Sequence, residues 1–307
     1  MRLRLGRPSL DQYASRFDVP PAAPGELAVT FLGVASLLLS DGDSAVMTDG
    51  FFSRPPLRTV AIGKLSPDLA RIDSGLSRAR VEKLDAVLPV HTHYDHAMDS
   101  AVVAAKTGAA LIGGESTANI GRGHGLSEDR IRVATPGEPM TYGAFTVSLV
   151  ESHHCPPDRT PGRITEPVVP PAKMADYKCG EAWSIQVEHR SGRSALVQGS
   201  AGFVAGALTG RSADVAYLGV GQLGLQSESY IRTYWAETVQ AVGAKRVVVI
   251  HWDDFFRPLD KKLRSLPYVG DDLDVTMRVL DDLARQHGAS VHFPTLWQRE
   301  DPWFSLR

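Results

Sequence analysis

The sequence is poor in cysteine, with only Cys155 and Cys179 among its 307 residues. Two cysteines are too few for a disulfide framework, and their spacing matches no zinc-knuckle pattern. We therefore expect a protein of a reducing compartment, the cytoplasm.

Long hydrophobic runs are also missing. The best candidate, residues 29–39, is too short to cross a bilayer and is interrupted by Gly33 and Ser36. The basic residues 1–8 lead into no apolar segment, so the sequence predicts neither a signal peptide nor a transmembrane segment.

The chain lacks an excess of charge of either sign, since its formal net charge is −2. No global basic field would draw it to nucleic acid or to an anionic membrane, so we expect a small-molecule substrate and no nucleic-acid partner. The oligomeric state has no signature in the sequence. At 307 residues the chain is long enough for a large core.

What the sequence does contain is the run H-T-H-Y-D-H at residues 91–96. A short apolar run precedes it and an Ala- and Val-rich run follows, which predicts a turn between a strand and a helix. In extended backbone His91 and His93 point the same way, while Asp95 and His96 lie past the bend and can face a second ion. Imidazole and carboxylate groups suit zinc, and also iron or manganese, so the run predicts a metal site rather than a polar turn.

This run resembles the H-x-H-x-D-H signature of the metallo-β-lactamase superfamily, and the resemblance extends over about residues 25–295. It implies a four-layer αβ/βα sandwich with the metals at one edge between two sheets, whereas periodicity alone predicts only mixed α and β structure. We expect an N-terminal extension of residues 1–24, outside the core, and one domain over residues 25–307.

The resemblance also implies the remaining metal ligands, each at a strand end. His154, before Cys155 and Pro156, fits the third histidine of the superfamily best, and His153 is the alternative. Because adjacent side chains of an extended segment point to opposite sides, only one of the two should bind the metal. His251, which ends a β-branched strand, fits the last histidine. The implied sets are His91, His93 and His154 for one ion, and Asp95, His96 and His251 for the second.

Three further positions are open to more than one interpretation. Asp49 either supports the metal site from behind or is a turn residue before Gly50, and Asp253 either orients a histidine or lies in a solvated turn. Ser200 stands where the superfamily usually has an aspartate that bridges two metals. A hydroxyl is a weaker ligand than a carboxylate, so we expect the second ion to be bound more weakly. The result would be a two-metal site bridged by water only, a single-metal site, or replacement of the aspartate by a nearby group such as Cys155 or Asp253.

The resemblance implies a metallo-hydrolase in which a metal lowers the pKa of bound water and the resulting hydroxide attacks a carbonyl or phosphoryl centre. Asp95 would orient that water or accept its proton. We expect one or two Zn²⁺ ions per chain, with Mn²⁺ or iron as alternatives. Two rival interpretations are a non-catalytic sensor that has lost the second metal and a mononuclear iron oxygenase of the persulfide type.

Two proline-containing stretches are predicted to be irregular. Residues 49–56 are similar to a stretch of the branch that includes N-acyl-phosphatidylethanolamine phospholipase D and ascorbate-phosphate lactonase, although Gly50 stands where that branch usually has proline. The similarity implies a phosphodiester or lactone-like ester substrate. We expect residues 51–80 to be irregular beside the site mouth, and residues 156–171, with six prolines, to form a stiff loop that walls the substrate cleft.

Overall fold

The computed structural model describes residues 4–306 of the chain. Fourteen strands within them form two seven-stranded sheets. The strands are β1 (Ala28–Phe31), β2 (Leu37–Ser40), β3 (Ala45–Thr48), β4 (Ala86–Leu88), β5 (Ala110–Gly113), β6 (Ile131–Val133), β7 (Pro139–Tyr142), β8 (Phe145–Ser152), β9 (Ala182–His189), β10 (Ser194–Gln198), β11 (Val215–Gly219), β12 (Arg246–Ile250), β13 (Ser290–His292) and β14 (Arg299–Glu300).

Seven α-helices accompany the sheets in the described part of the chain. They are α1 (Leu57–Ile62), α2 (Leu69–Arg78), α3 (Tyr94–Ala97), α4 (Ser100–Thr107), α5 (Glu115–Gly123), α6 (Glu228–Trp235) and α7 (Leu273–His287). The turn after α6 continues it in π-helical geometry over Ala236–Gln240. None of the helices within residues 4–306 has the length and apolar character needed to span a bilayer.

The strand order decides where side chains can meet. The first sheet has the order β14-β1-β2-β3-β4-β5-β6, and the second has the order β13-β12-β11-β10-β9-β8-β7. β3 and β4 are parallel, as are β10, β11 and β12. β8 runs in the same direction as β10, because both are antiparallel to β9. The carboxyl ends of these strands therefore gather at one edge of each sheet.

The layers follow from strand alternation. In β2, Leu37 and Leu39 pack into the cluster between the sheets, whereas Leu38 packs into the cluster that covers the outer face of the first sheet. The outer cluster also contains buried residues of α2, α4 and α5, and α6 and α7 pack over the second sheet. The predicted four-layer α/β sandwich is confirmed.

The prediction of irregular structure over residues 51–80 is wrong, because this segment contains α1 and α2. Its prolines do not interrupt the helices: Pro56 caps α1, and Pro67 lies just before the N-cap of α2. The N-cap Asp68 accepts a hydrogen bond from Arg71 N at 3.1 Å. The helix then buries Ile72 and Leu76.

The N-terminal extension is not separate from the core. Tyr13 and Val19 are buried in the cluster between the sheets, and the Tyr13 ring stacks on Phe293 at 5.4 Å. The expectation that residues 1–24 lie outside the core therefore does not hold for Tyr13 and Val19, and the Tyr13 ring packs on a residue distant in sequence. The boundary at residue 24 stays a prediction, and residues 1–3 and 307 lie outside the described residues.

A buried ion pair joins the loops that follow β3 and β12. The Arg54 guanidinium contacts the Asp253 carboxylate, and both side chains are completely buried. Asp253 Oδ1 also accepts a hydrogen bond from Val34 N at 2.9 Å. Two loops of the first sheet are thereby tied to one loop of the second.

We predict that Asp253→Ala lowers the free energy of unfolding by about 3–5 kcal/mol, because it leaves the Arg54 charge buried without a partner. The double variant Arg54→Met, Asp253→Leu should recover most of this loss, since it removes both charges. Urea unfolding of metal-free protein measures both, with the exposed Asp260→Ala as a control that changes stability by less than about 0.5 kcal/mol. A loss of under about 1 kcal/mol for Asp253→Ala would contradict the prediction.

Candidate metal centre

The site lies where the carboxyl ends of strands from both sheets meet. Asp49 follows β3, the 91–96 motif follows β4, His154 follows β8, and His251 follows β12. Three groups of possible donor atoms result, and the atoms of each group lie within 4.8 Å of one another. Two of them contain the predicted ligands, and the third consists of His93, Asp158 and Cys179.

The first donor group consists of His91, His93 and His154. His91 Nε2 lies 3.1 Å from His93 Nδ1. His154 Nδ1 lies 2.6 Å from the carbonyl oxygen of Cys155, which can only accept, so Nδ1 carries the proton and Nε2 keeps a lone pair. The structure thus brings His154 to the group, whereas the adjacent His153 is exposed and lies outside it.

The second donor group consists of Asp95, His96 and His251. His96 Nε2 lies 3.2 Å from His251 Nε2. Asp95 Oδ2 lies 3.7 Å from the first of these nitrogens and 3.6 Å from the second. One carboxylate and two imidazoles therefore converge at one point.

Asp49 lies directly behind the second donor group. Its Oδ2 accepts a hydrogen bond from His96 Nδ1 at 2.7 Å, which places the His96 proton away from the group. Its Oδ1 accepts from Val90 N at 2.9 Å, and its carbonyl oxygen accepts from Ser100 Oγ at 2.6 Å. With φ of 53° Asp49 is also a turn residue, so the structure combines the two interpretations.

His251 is held mainly through its backbone. Its φ is 58°, in the left-handed region that non-glycine residues rarely adopt, and its N–H donates to the carbonyl oxygen of Val34 at 2.7 Å. Since Asp253 accepts from Val34 N, the Arg54–Asp253 pair supports the segment on which His251 rests. Asp253 belongs to neither donor group.

Ser200 serves the turn that carries His154. Its Oγ accepts a hydrogen bond from Cys155 N at 3.0 Å. Neither Ser200 nor Cys155 belongs to the two donor groups, and the Cys155 sulfur lies 3.7 Å from the carbonyl oxygen of Pro156.

Burial and local charge adjust the protonation of these groups. Burial lowers the pKa of His91 well below its usual value and that of His154 to about 4, so both imidazoles are neutral at pH 7. Burial alone would raise the pKa of the Asp95 carboxyl, but His96 and His251 outweigh it and hold that pKa well below its usual range. Burial would lower the pKa of His251, but Asp95 raises it. The second donor group therefore attracts positive charge.

The donor chemistry fits divalent metal ions. The Nε2 atoms of His96 and His154 carry no proton, because their protons lie on Nδ1 atoms that donate to Asp49 and to the Cys155 carbonyl. Lone pairs directed into a buried space, together with an ionised carboxylate, form the nitrogen and oxygen set that zinc and neighbouring transition metals take. Both groups can bind a metal ion.

Three residues that the sequence did not indicate support the site. Asp99 accepts hydrogen bonds from Phe52 N and Ser53 N at 2.8 and 2.7 Å and thereby holds the segment after Asp49. Its position three residues after His96 was the only available sign. Arg54 and Asp158 had none, since their partners Asp253 and His93 are distant in sequence.

Comparisons with known proteins agree with this architecture. No protein-family model matches the chain. A UPF0173 metal-dependent hydrolase of Myxococcus xanthus is 28% identical over 150 residues, which are 48% of this chain and 47% of that protein. The chain thus spans about half the length of this curated relative.

Two solved structures share the fold. Igni18, a metallo hydrolase of Ignicoccus hospitalis, superposes with a TM-score of 0.52 at 15% identity, covering 90% of this chain and 96% of that one. CmlA, a diiron β-hydroxylase of Streptomyces venezuelae, superposes with a TM-score of 0.55 at 14% identity, covering 95% of this chain and 59% of that one. Together with the two sheets and the strand-end position of the 91–96 motif, these matches show that the chain has the metallo-β-lactamase fold.

Proposed function

We propose that the protein is a metal-dependent hydrolase that acts on ester bonds. The observation that carries this proposal is the pair of adjacent donor groups, one of three imidazoles and one of two imidazoles and a carboxylate. The Myxococcus relative, which is described as a metal-dependent hydrolase, supports it. Zinc is the ion that we propose for both groups, with manganese or iron as alternatives.

A divalent ion bound in such a site lowers the pKa of a coordinated water and polarises an oxygen of the substrate. The residues around it supply position and a proton acceptor. We assign the first ion to His91, His93 and His154, and the second to Asp95, His96 and His251. Asp95 Oδ2 faces His96 and His251, so Oδ1 is the atom that we assign to orient the attacking water or to accept its proton.

The substrate proposal is a phosphodiester or a lactone-like ester, and it rests on the resemblance of residues 49–56. This stretch is buried from Phe51 to Arg54 and is bound by Asp99 and Asp253. It therefore helps to position Asp49 and His251 rather than to contact the substrate. The choice between the two ester classes is best made with a panel that contains both.

We predict that His154→Ala removes about one metal ion per chain and lowers ester hydrolysis by about 100-fold or more, because it deletes one of the three donors of the first group. His153→Ala is a matched control, since it removes the exposed neighbouring imidazole and should keep both metal content and activity. Elemental analysis of protein purified without a chelating tag measures metal content. Full metal content and activity in His154→Ala would exclude the assignment.

We further predict that Asp95→Asn lowers kcat by about 10²–10⁴-fold on any ester that the wild type hydrolyses, because the amide cannot accept a proton and supplies no negative charge to the second donor group. Substrate binding should change much less, so KM should stay within about threefold of the wild type. Steady-state kinetics on the phosphodiester and lactone panel, with metal content measured in parallel, tests this. Metal binding without hydrolysis of any ester by the wild type would favour a sensor, and oxygen uptake with one iron per chain would favour an oxygenase.

A further inference from the structure

His93 has polar neighbours at both ring nitrogens. On one side, Nδ1 faces His91 Nε2 in the first donor group at 3.1 Å. On the other side, Nε2 lies 3.2 Å from Asp158 Oδ1 and 3.4 Å from the carbonyl oxygen of Thr160. Asp158 and Thr160 belong to the proline-rich loop, residues 156–171.

These neighbours determine which nitrogen of His93 carries the proton. A carbonyl oxygen and an ionised carboxylate oxygen can only accept, so the proton lies on Nε2, where it donates to the Thr160 carbonyl oxygen and faces the Asp158 carboxylate. The lone pair of His93 then lies on Nδ1, directed into the first donor group. The opposite tautomer would direct a lone pair at two acceptors and a proton at the position of the proposed ion.

The Cys179 sulfur also lies within 4.8 Å of His93 and Asp158 donor atoms. A third metal site is therefore a rival explanation of this cluster. Burial, and then the charge of Asp158, raises the pKa of the Cys179 thiol well above its usual range, which makes the thiol a poor ligand. The position of His93 favours the alternative, because its Nε2 faces two acceptors while its Nδ1 faces the first donor group.

We propose that Asp158 is a positioning residue for His93, through which the proline-rich loop sets the metal affinity of the first donor group. The proposal rests on the metal binding proposed above and is independent of the substrate. Asp158 would then do for His93 what Asp49 does for His96. Carboxylates that orient a metal-binding imidazole typically contribute about 10–100-fold to metal affinity.

The surroundings of Asp158 hold its carboxylate in place. Oδ1 also accepts a hydrogen bond from Thr160 N at 3.0 Å. The Thr160 carbonyl oxygen accepts from Cys179 N at 2.8 Å, and the Cys179 carbonyl oxygen accepts from Thr92 N at 2.8 Å. The loop is thus fastened to Thr92, between His91 and His93, so movement of the loop would displace the His93 ring.

Zinc affinity measured in two single-group backgrounds tests the proposal. His251→Ala disables the second donor group and His154→Ala disables the first. In competition with a chromophoric chelator, Asp158→Ala should weaken zinc binding by about 10–100-fold in the His251→Ala background and by less than about threefold in the His154→Ala background. Asp158→Asn should lose less, because its amide oxygen still accepts from Nε2, and Arg159→Ala, at the adjacent exposed position, is the control.

The His93 tautomer provides a readout that needs neither metal nor substrate. Ring ¹⁵N–¹H spectra of metal-free protein should show the proton of His93 on Nε2 in the wild type and a mixture of tautomers in Asp158→Ala. If zinc binds neither background while the tautomer shift is present, the metal assignment fails and the contact between Asp158 and His93 stands.

Two results would overturn the proposal. One is that Asp158→Ala changes zinc affinity equally in both backgrounds, or in neither, while the ring spectra of Asp158→Ala match those of the wild type. The other is a thiolate charge-transfer band on addition of Cd²⁺ that Cys179→Ser removes and Cys155→Ser keeps, because it would make Cys179 a metal ligand. Neither of the two donor groups contains a sulfur atom, so they cannot give such a band.

Discussion

The direction of the imidazole protons is the constraint on which this site depends. A histidine can bind a metal through one nitrogen only if its proton lies on the other, and burial removes the water that would otherwise accept that proton. The chain supplies a protein acceptor for three of the five histidines: Asp49 for His96, the Cys155 carbonyl for His154, and the Thr160 carbonyl, beside the Asp158 carboxylate, for His93. The three acceptors come from a strand end, a turn and a loop, so distant parts of the fold determine which imidazole nitrogens keep a lone pair for a metal ion.

A second constraint is that the donors come from both sheets. The buried pair of Arg54 and Asp253 holds the two sheets together near the site. Asp253 also accepts a hydrogen bond from the backbone of Val34, and the Val34 carbonyl oxygen accepts one from His251. A buried ion pair adds little net stability compared with apolar residues of the same volume, yet it is costly to break. Its contribution here is therefore positional: it couples the backbone of His251 to the segment that follows Asp49.

The parts of the site that the sequence predicted are those with a local signature. Each of these signatures can be recognised within a few residues: the strand ends, the spacing of residues 91–96, and the β-branched run before His251. Parallel strands then bring their carboxyl ends together at one edge of a sheet. Asp158, Arg54 and the core contact of Tyr13 depend on partners far along the chain, and no periodicity marks them. The helices over residues 57–78 are hard to predict for a different reason, because prolines that precede a helix look the same in sequence as prolines of an irregular segment.

The serine at position 200 affects the charge of the site more than the number of its metal ligands. The resemblance implies that Ser200 stands at the position of an aspartate that would contact both ions, so a negative charge would be missing beside both donor groups and not beside the second alone. Each group keeps three donors, and the only remaining carboxylate, Asp95, lies in the second. Ser200 itself holds the Cys155 amide beside His154, in the first group. The carboxylate that would bind an ion directly thus lies in the second donor group, whereas the first depends on correctly oriented neutral imidazoles with the Asp158 carboxylate behind one of them.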